Sequence, residues 1–169
     1  MKQIFGLILT AALTMSLVSG PSYNQSAEAA KPTDIDWLKQ VKTTASKAKS
    51  VDGKVTLEKT TLAQVHSAYK GEKNSTWCQS GKGLVAPNKA VHYCSTFGVP
   101  DRKAKVSAIV YNPKVIGRTI TVKEVKKAYS TAKLDKTFNL MTVSTKEVNI
   151  YLNLNSERTQ VMSILVKYN

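Results

Sequence analysis

The chain has 169 residues, and 25 Lys and Arg against 11 Asp and Glu give it a formal net charge of +14. A hydrophobic share of 42% excludes an intrinsically disordered chain, and five Pro and eight Gly exclude a collagen-like or low-complexity one. Two Cys and two His are too few for a four-ligand zinc site unless both pairs converge. The length fits one domain.

The N-terminal segment has the pattern of a secretory signal peptide. Residues 4–18 are uncharged and mostly apolar, but about 15 such residues fall short of the roughly 20 that span a membrane. Small residues at Ala27 and Ala29 match a signal-peptidase site. We therefore expect a signal peptide at 1–29 and a secreted domain at 30–169, extracellular or associated with the cell wall, with no transmembrane segment after cleavage. An uncleaved N-terminal anchor is the alternative.

Export decides how the two cysteines are interpreted. In an oxidising compartment, an even pair predicts one disulfide, here between Cys78 and Cys94. A reactive thiol with His92 or His66 as its base is a second interpretation, but no third orienting group is evident. A metal site made of these four residues is a third, but its spacing matches no standard pattern. We expect no metal and no cofactor.

The next segments indicate helices. Residues 34–48 carry an apolar stripe at helical spacing, with Asp34 as the expected N-cap. Residues 60–69 and 120–129 then share a pattern at an offset of 60. Both contain a Thr followed three residues later by Gln or Glu, which is a capping box, and both continue with apolar residues on one helical face. The apolar positions are 62, 65, 68 and 69 in the first copy and 122, 125, 128 and 129 in the second.

Strand patterns follow each of these two helices. Alternating or β-rich runs predict strands at 91–97, 105–111, 138–143, 148–154 and 161–168. We therefore expect an α+β fold in which two tandem helix-plus-antiparallel-meander repeats form a helix-covered antiparallel sheet, preceded by one N-terminal helix. Repeat one covers about 53–113 and repeat two about 117–169. The other face of such a sheet is free for solvent or a partner.

This layout resembles the YjgB-like family of secreted proteins from Gram-positive bacteria. The resemblance rests on residues 59–75, 105–113 and 119–129. That family is similar in its repeat layout to β-lactamase inhibitory protein, in which tandem helix–sheet units form a concave sheet and a Cys pair closes the loop after the helix. Here only the first repeat has a Cys pair, and no inhibitory contact residue is carried over. The family has no established activity, so the resemblance implies a fold and not a function.

The basic charge suggests a polyanionic partner. Two clusters form the candidate basic patch: Arg102, Lys103, Lys105, Lys123, Lys126 and Lys127. Outside a Gram-positive cell, wall polymers and anionic lipid headgroups would attract such a charge in a salt-dependent way. Solvated lysines that only aid solubility are the alternative. Export argues against nucleic acid as the partner.

Exposed aromatic residues indicate a second contact surface. If the apolar residues of 148–154 face the helices, Tyr151 points to the open sheet face with Asn149 and Asn153 beside it. Tyr111 or Tyr168 would join it by the same alternation. Such a face suits a protein partner or a glycan, and a partly buried core Tyr is the alternative. We expect Trp77 to pack on the disulfide and Trp37 to pack in the core or at its edge.

The sequence carries no signature of catalysis. It has no nucleophile elbow, no His-Glu-x-x-His zinc motif and no Gly-rich phosphate loop. Its acidic residues fall mostly at expected caps and turns. The sequence therefore favours a secreted, non-enzymatic binding module at or near the cell envelope. Its partner is an anionic wall polymer or an extracellular protein, and in the second case it could inhibit or regulate an enzyme.

Overall fold

The computed structural model describes residues 32–70, 72–73, 75–78 and 82–169. The predicted signal peptide, 1–29, lies outside the described residues. No helix in these ranges is long and apolar enough to cross a membrane. The elements in chain order are α1 (Asp34–Ala45), α2 (Leu62–Tyr69), β1 (Glu72–Lys73), β2 (Gly83–Val85), β3 (Val91–Ser95), β4 (Val106–Tyr111), α3 (Val122–Ala128), β5 (Lys133–Asp135), β6 (Leu140–Ser144), β7 (Val148–Leu154) and β8 (Val161–Tyr168).

Over the described residues the fold is mixed α+β, built on one antiparallel sheet of eight strands in the order β1-β2-β3-β4-β8-β7-β6-β5. The first four strands follow α2 as one meander, and the last four follow α3 as another. The two meanders meet where β4 pairs with β8. The paired residues are Ala108 with Lys167, Ile109 with Val166, Val110 with Leu165 and Tyr111 with Ile164.

The two faces of the sheet have different surroundings. Antiparallel partners point to the same side of a sheet, and successive residues of a strand point to opposite sides. On one side, Ile109 and Val166 join a buried core with Leu38 of α1, Val65 of α2 and Val125 of α3. We call this side the helix face and the opposite side the open face.

Both predicted capping boxes are present. Thr61 accepts a hydrogen bond from the Gln64 amide at 3.3 Å, and the Gln64 side chain accepts one from the Thr61 amide at 2.8 Å. Thr121 and Glu124 form the same pair of bonds at 3.3 and 2.8 Å. Each helix therefore begins directly after its Thr, as the sequence predicts. Ala68, expected on the buried face of α2, is exposed instead.

The start of each of these helices is also joined to the last strand of its own meander. The first helical amide donates to the loop before that strand, and the first amide of the strand donates back to the residue before the Thr cap. The bonds are Leu62 N to Ala104 O (2.8 Å), Val106 N to Thr60 O (2.9 Å), Val122 N to Thr159 O (3.0 Å) and Val161 N to Ile120 O (2.9 Å).

The first helix is shorter than the predicted 34–48 and has a different cap. Thr33, not Asp34, is the N-cap, and its hydroxyl oxygen accepts from the Asp36 amide at 3.2 Å. The helix ends at Ala45, because Ala48 adopts a left-handed φ of 54° that is incompatible with a continuing right-handed helix.

Two contacts fix α1 against the second half of the chain. The Arg118 guanidinium donates to the Asp34 carboxylate at 2.6 Å, and Arg118 is 7% exposed. The Tyr129 hydroxyl, at the end of α3, donates to the Leu38 carbonyl at 2.5 Å. These bonds hold α1 beside α3 on the helix face, so α1 closes the core there.

Two of the predicted strands have the same bounds as the observed ones. The predicted strands 148–154 and 161–168 coincide with β7 and β8. The prediction of 91–97 is too long, because β3 ends at Ser95 and Phe97 is 75% exposed. Phe138 is equally exposed and lies before β6 rather than in it. Strands β1, β2 and β5 were not predicted, because two or three residues are too few to show an alternation.

Tyr111 does not lie on the open face, so its assignment to the binding face is wrong. It is 3% exposed and meets the ring of Trp37 edge-on, with centroids 5.9 Å apart. Its hydroxyl oxygen accepts from the Val51 amide at 3.0 Å. The cause is the strand register, since Tyr111 pairs with the fully buried Ile164 and therefore shares the helix face with it.

Substitution of Tyr111 should show that side chains on the helix face contribute more to the free energy of unfolding than those on the open face. We expect Tyr111→Ala to lower the free energy of unfolding by about 3–5 kcal/mol, because it leaves a cavity in the core. Tyr111→Phe should cost only about 1 kcal/mol, through the lost hydrogen bond. Tyr151→Ala, on the open face, is the matched control and should cost about 1 kcal/mol. Equal losses for the two Ala variants in chemical denaturation would contradict this placement.

Candidate functional site

The centre of the open face is a row of side chains that crosses adjacent strands. Each member is paired with the next in the strand ladder, so all point to the same side. The row runs through His92 of β3, Val110 of β4, Leu165 of β8, Tyr151 of β7 and Thr142 of β6. The β4–β8 pair therefore places two aliphatic side chains together in the middle of the open face.

A short segment lies against one half of this face, and we call residues 75–78 the clip. A disulfide joins its last residue, Cys78, to Cys94 of β3, with a Cα–Cα distance of 5.3 Å. The predicted pairing is confirmed. The strand beneath the disulfide must have a glycine at position 83, because a Cβ atom there would collide with the Sγ atom of Cys78. Gly83 is the residue paired with Cys94, so the disulfide lies directly over β2 and β3.

The clip also covers His92. The Ser75 hydroxyl is hydrogen-bonded to Nδ1 of His92 at 2.7 Å, and both residues are buried. The Trp77 ring stacks on the imidazole, with centroids 5.2 Å apart and an angle of 18° between the rings. The observed ring contact of Trp77 is with His92, and its expected packing on the disulfide stays a prediction. Its other side remains open, and the residue is 41% exposed.

A cleft of about 350 Å³ opens on the open face beside Trp77. Ala108, Val110 and Leu165, from the paired strands β4 and β8, provide its apolar lining, and Val110 is only 5% exposed. The polar residues that line it are Ser95, Thr96, Ser107, Asn153, Ser163 and Lys167, and the remaining lining residue is Cys94. This volume is at the lower end of typical ligand sites.

Several polar groups at the cleft are already bonded within the protein. The Ser95 hydroxyl donates to the Lys105 carbonyl at 2.6 Å. The Asn153 amide donates to the Ser163 hydroxyl oxygen at 2.8 Å. The one charged residue among the described lining is Lys167.

The structure brings three of the predicted binding residues to the open face. Asn149, Tyr151 and Asn153 alternate with the buried residues of β7, and Asn153 reaches the cleft. Tyr168 is excluded from this face, because it pairs with the buried Val148 and so lies at the edge of the helix face. Sequence reasoning missed Leu165 of β8, which lies beside Val110 only because β8 pairs with β4, a strand more than 50 residues earlier in the chain.

The predicted basic patch falls on two separate elements. One group of exposed residues lies in the loop between β3 and β4, beside the start of α2, and the other lies on the solvent side of α3. The groups are Arg102, Lys103 and Lys105 in the loop and Lys123, Lys126 and Lys127 on the helix. Each group is a local concentration of positive charge.

The catalytic and metal interpretations of the cysteines have no support in the described part of the chain. Both cysteines are in the disulfide, so no thiol is available to act as a nucleophile. No group of three or more His, Cys, Asp or Glu side chains among the described residues is placed to hold a metal ion. Ser75 and His92 are both buried, and the Trp77 ring lies on the imidazole.

Together these features define a helix-backed antiparallel sheet with one open, clipped face. The chain is similar in fold to the crystal structure of a DUF4309 family protein, YjgB, from Bacillus subtilis. The TM-score is 0.55 at 13% sequence identity, over 80% of this chain and 97% of the other. The expected YjgB-like fold is thereby confirmed, and a likeness at this identity shows the fold alone. No protein-family model and no curated protein sequence matches the chain.

Removal of the disulfide should release the clip. The two cysteines are 16 positions apart, and a loop of this size is worth about 3 kcal/mol in the chain-entropy model. We expect the Cys78→Ser, Cys94→Ser double variant to lose about that much unfolding free energy. Trp77 should also become more accessible to an aqueous fluorescence quencher, while the buried Trp37 should not. Unchanged quenching of Trp77 would contradict the clip as described.

His92 should make the stability depend on pH. Burial lowers its pKa below the usual value, because a buried imidazolium loses its hydration. The folded state then binds fewer protons than the unfolded state, so the unfolding free energy rises with pH up to about 6.5 and falls on acidification through that range. His92→Asn, which can keep a bond to Ser75, should flatten this slope between about pH 5 and 7. A slope that stays unchanged in His92→Asn would contradict this role of His92.

Proposed function

We propose that this protein is a secreted, non-enzymatic binding module that holds a partner protein on the open face of its sheet, at or near the cell envelope. One observation carries the proposal: the half-exposed Trp77 lies beside an apolar cleft on a sheet face that the helices leave open. Exposed apolar area of this kind marks interaction sites, and Trp is enriched among the residues that dominate binding energy.

The disulfide supports the extracellular part of the proposal. Disulfides form and persist in oxidising compartments and are rare in the cytosol. The apolar run at residues 4–18 and the small residues Ala27 and Ala29 point the same way. A partner in this compartment is a wall component or an extracellular protein, and an enzyme that the module inhibits or regulates is one form of the second.

The net charge favours a second candidate function, association with anionic wall polymers. A charge of +14 attracts polyanions from solution, and the lysines on the solvent side of α3 are free to meet them. Such binding is electrostatic and weakens with added salt. It needs neither Trp77 nor the cleft, so the two candidates can be separated by experiment.

We also propose that the two halves of the sheet are copies of one unit, each a helix followed by four strands. The matching capping boxes and the matching bonds between each helix start and its last strand support this. They join Leu62 to Ala104 and Val122 to Thr159 in the two halves. The similarity in layout to β-lactamase inhibitory protein depends on this repeat and stays a prediction.

Affinity capture with matched variants tests the proposed function. The oxidised protein, its Trp77→Ala variant and the control Phe138→Ala would be immobilised and exposed to host envelope and culture fluid at low and high salt. Phe138 is an equally large, 75% exposed aromatic residue outside the cleft. We expect one defined protein to be retained at high salt by the wild type and by Phe138→Ala, and at least tenfold less of it by Trp77→Ala.

Two results would contradict the sheet-face proposal. Retention of wall polymer alone, released by salt and insensitive to Trp77, would assign the function to the charge. Equal retention of the protein partner by all three variants would place the contact elsewhere on the molecule.

A further inference from the structure

We propose that the cleft on the open face recognises an acidic peptide segment of the partner, with an apolar side chain inserted beside Trp77 and a neighbouring carboxylate bound by Lys167. This inference rests on the proposed function and specifies the chemistry of what the open face holds. It follows from the size of the cleft, its lining and its charge.

The size and lining of the cleft fit a side chain. A volume of about 350 Å³ admits one large side chain and part of the adjoining backbone, but not a folded surface. The aliphatic side chains of Val110 and Leu165 form its floor, and the Trp77 ring forms one wall. An aromatic or large aliphatic group inserted there would bury apolar surface against Val110 and Leu165 and contact the indole.

The positive charge of the cleft favours a peptide in which an acidic residue lies next to the inserted apolar side chain. Lys167 is exposed, and no described carboxylate forms an ion pair with it. No Asp or Glu is among the described lining residues, so nothing there repels an incoming carboxylate. The net charge of +14 also favours approach of an acidic segment over a basic one.

A glycan fits the same cleft less well. Sugar rings stack on Trp, but they also need several free donors and acceptors to fix their hydroxyl groups. Here the Ser95 hydroxyl donates to the Lys105 carbonyl, the Ser107 hydroxyl to the Cys94 carbonyl and the Asn153 amide to Ser163, so Thr96 and Lys167 are the described polar lining residues that remain. A peptide needs fewer such groups, because its apolar side chain and its charge supply the specificity. The peptide is therefore the occupant that the lining favours.

Three synthetic peptides and one oligosaccharide provide the test. The peptides are acetyl-Ser-Phe-Glu-Gly-Ser-amide and the same sequence with Gln or Lys in place of Glu, and the oligosaccharide is hexa-N-acetylglucosamine. Each would be titrated to about 5 mM, a range in which weak binding is measurable. The readouts are Trp fluorescence and the indole NH shift of Trp77, with the buried Trp37 as the internal reference.

We expect the Glu peptide to bind about fivefold more tightly than the Gln peptide, as for a partly exposed ion pair, and the Lys peptide to bind least. Lys167→Gln should abolish this preference without weakening the Gln peptide. Lys126→Gln, which removes the same charge from α3, should leave the preference intact. The preference should also decrease at high salt.

Each other outcome overturns the inference. Equal binding of the Glu and Gln peptides, or a preference that survives in Lys167→Gln, would remove the role of Lys167. A Trp77 shift with the oligosaccharide alone would identify a glycan site, and no shift with any probe would exclude a peptide-binding cleft. These failures are distinct from failure of the proposed function. Capture of a protein that depends on Trp77 but not on Lys167 would leave the binding module in place without this specificity.

Discussion

The pairing of β4 with β8 is the constraint on which the rest of the structure depends. It joins two four-stranded meanders into one sheet, and its register decides which side chains face the helices. One set, with Ile109 and Val166 at its centre, closes the core. The other set brings Val110 and Leu165 together on the open face, where they form the floor of the cleft. A shift of one residue in this register would exchange the two sets, so core and cleft are specified by the same ladder.

The disulfide holds the clip and Trp77 in place on the open face, which the strand pairing alone does not do. It fixes the clip over β2 and β3, where the small Gly83 leaves room for the sulfur atoms. The clip covers His92 and holds Trp77 with one ring face on the imidazole and its other side open. A large aromatic group is thereby held in place, which would reduce the entropy lost on binding of the proposed partner. The second meander has no cysteine pair and no clip, so the open face is asymmetric.

Local signals predicted much of the fold and little of the site. The capping boxes at Thr61 and Thr121 need residues only three positions apart, and the alternation of β7 spans seven residues, so both are visible in the sequence. The predicted face of Tyr111 was wrong. The run 105–111 is apolar at most positions, so the sequence does not show which of its two alternating sets of side chains is buried. The cleft could not be predicted, because it joins strands paired across more than 50 residues. The adjacent Trp77 and Cys78 were the one local sequence feature that pointed to this cleft.

The most direct test of the account is to map where a partner touches the sheet. The methyl groups of Ile, Leu and Val and the two indole NH groups would be followed by NMR as the captured envelope protein is added to the oxidised protein. The account predicts that the Leu165 and Val110 methyl signals and the Trp77 indole shift together, while the Ile109 and Ile164 methyl signals on the helix face do not. Shifts confined to the helices, with Trp77 and Leu165 unchanged, would contradict it.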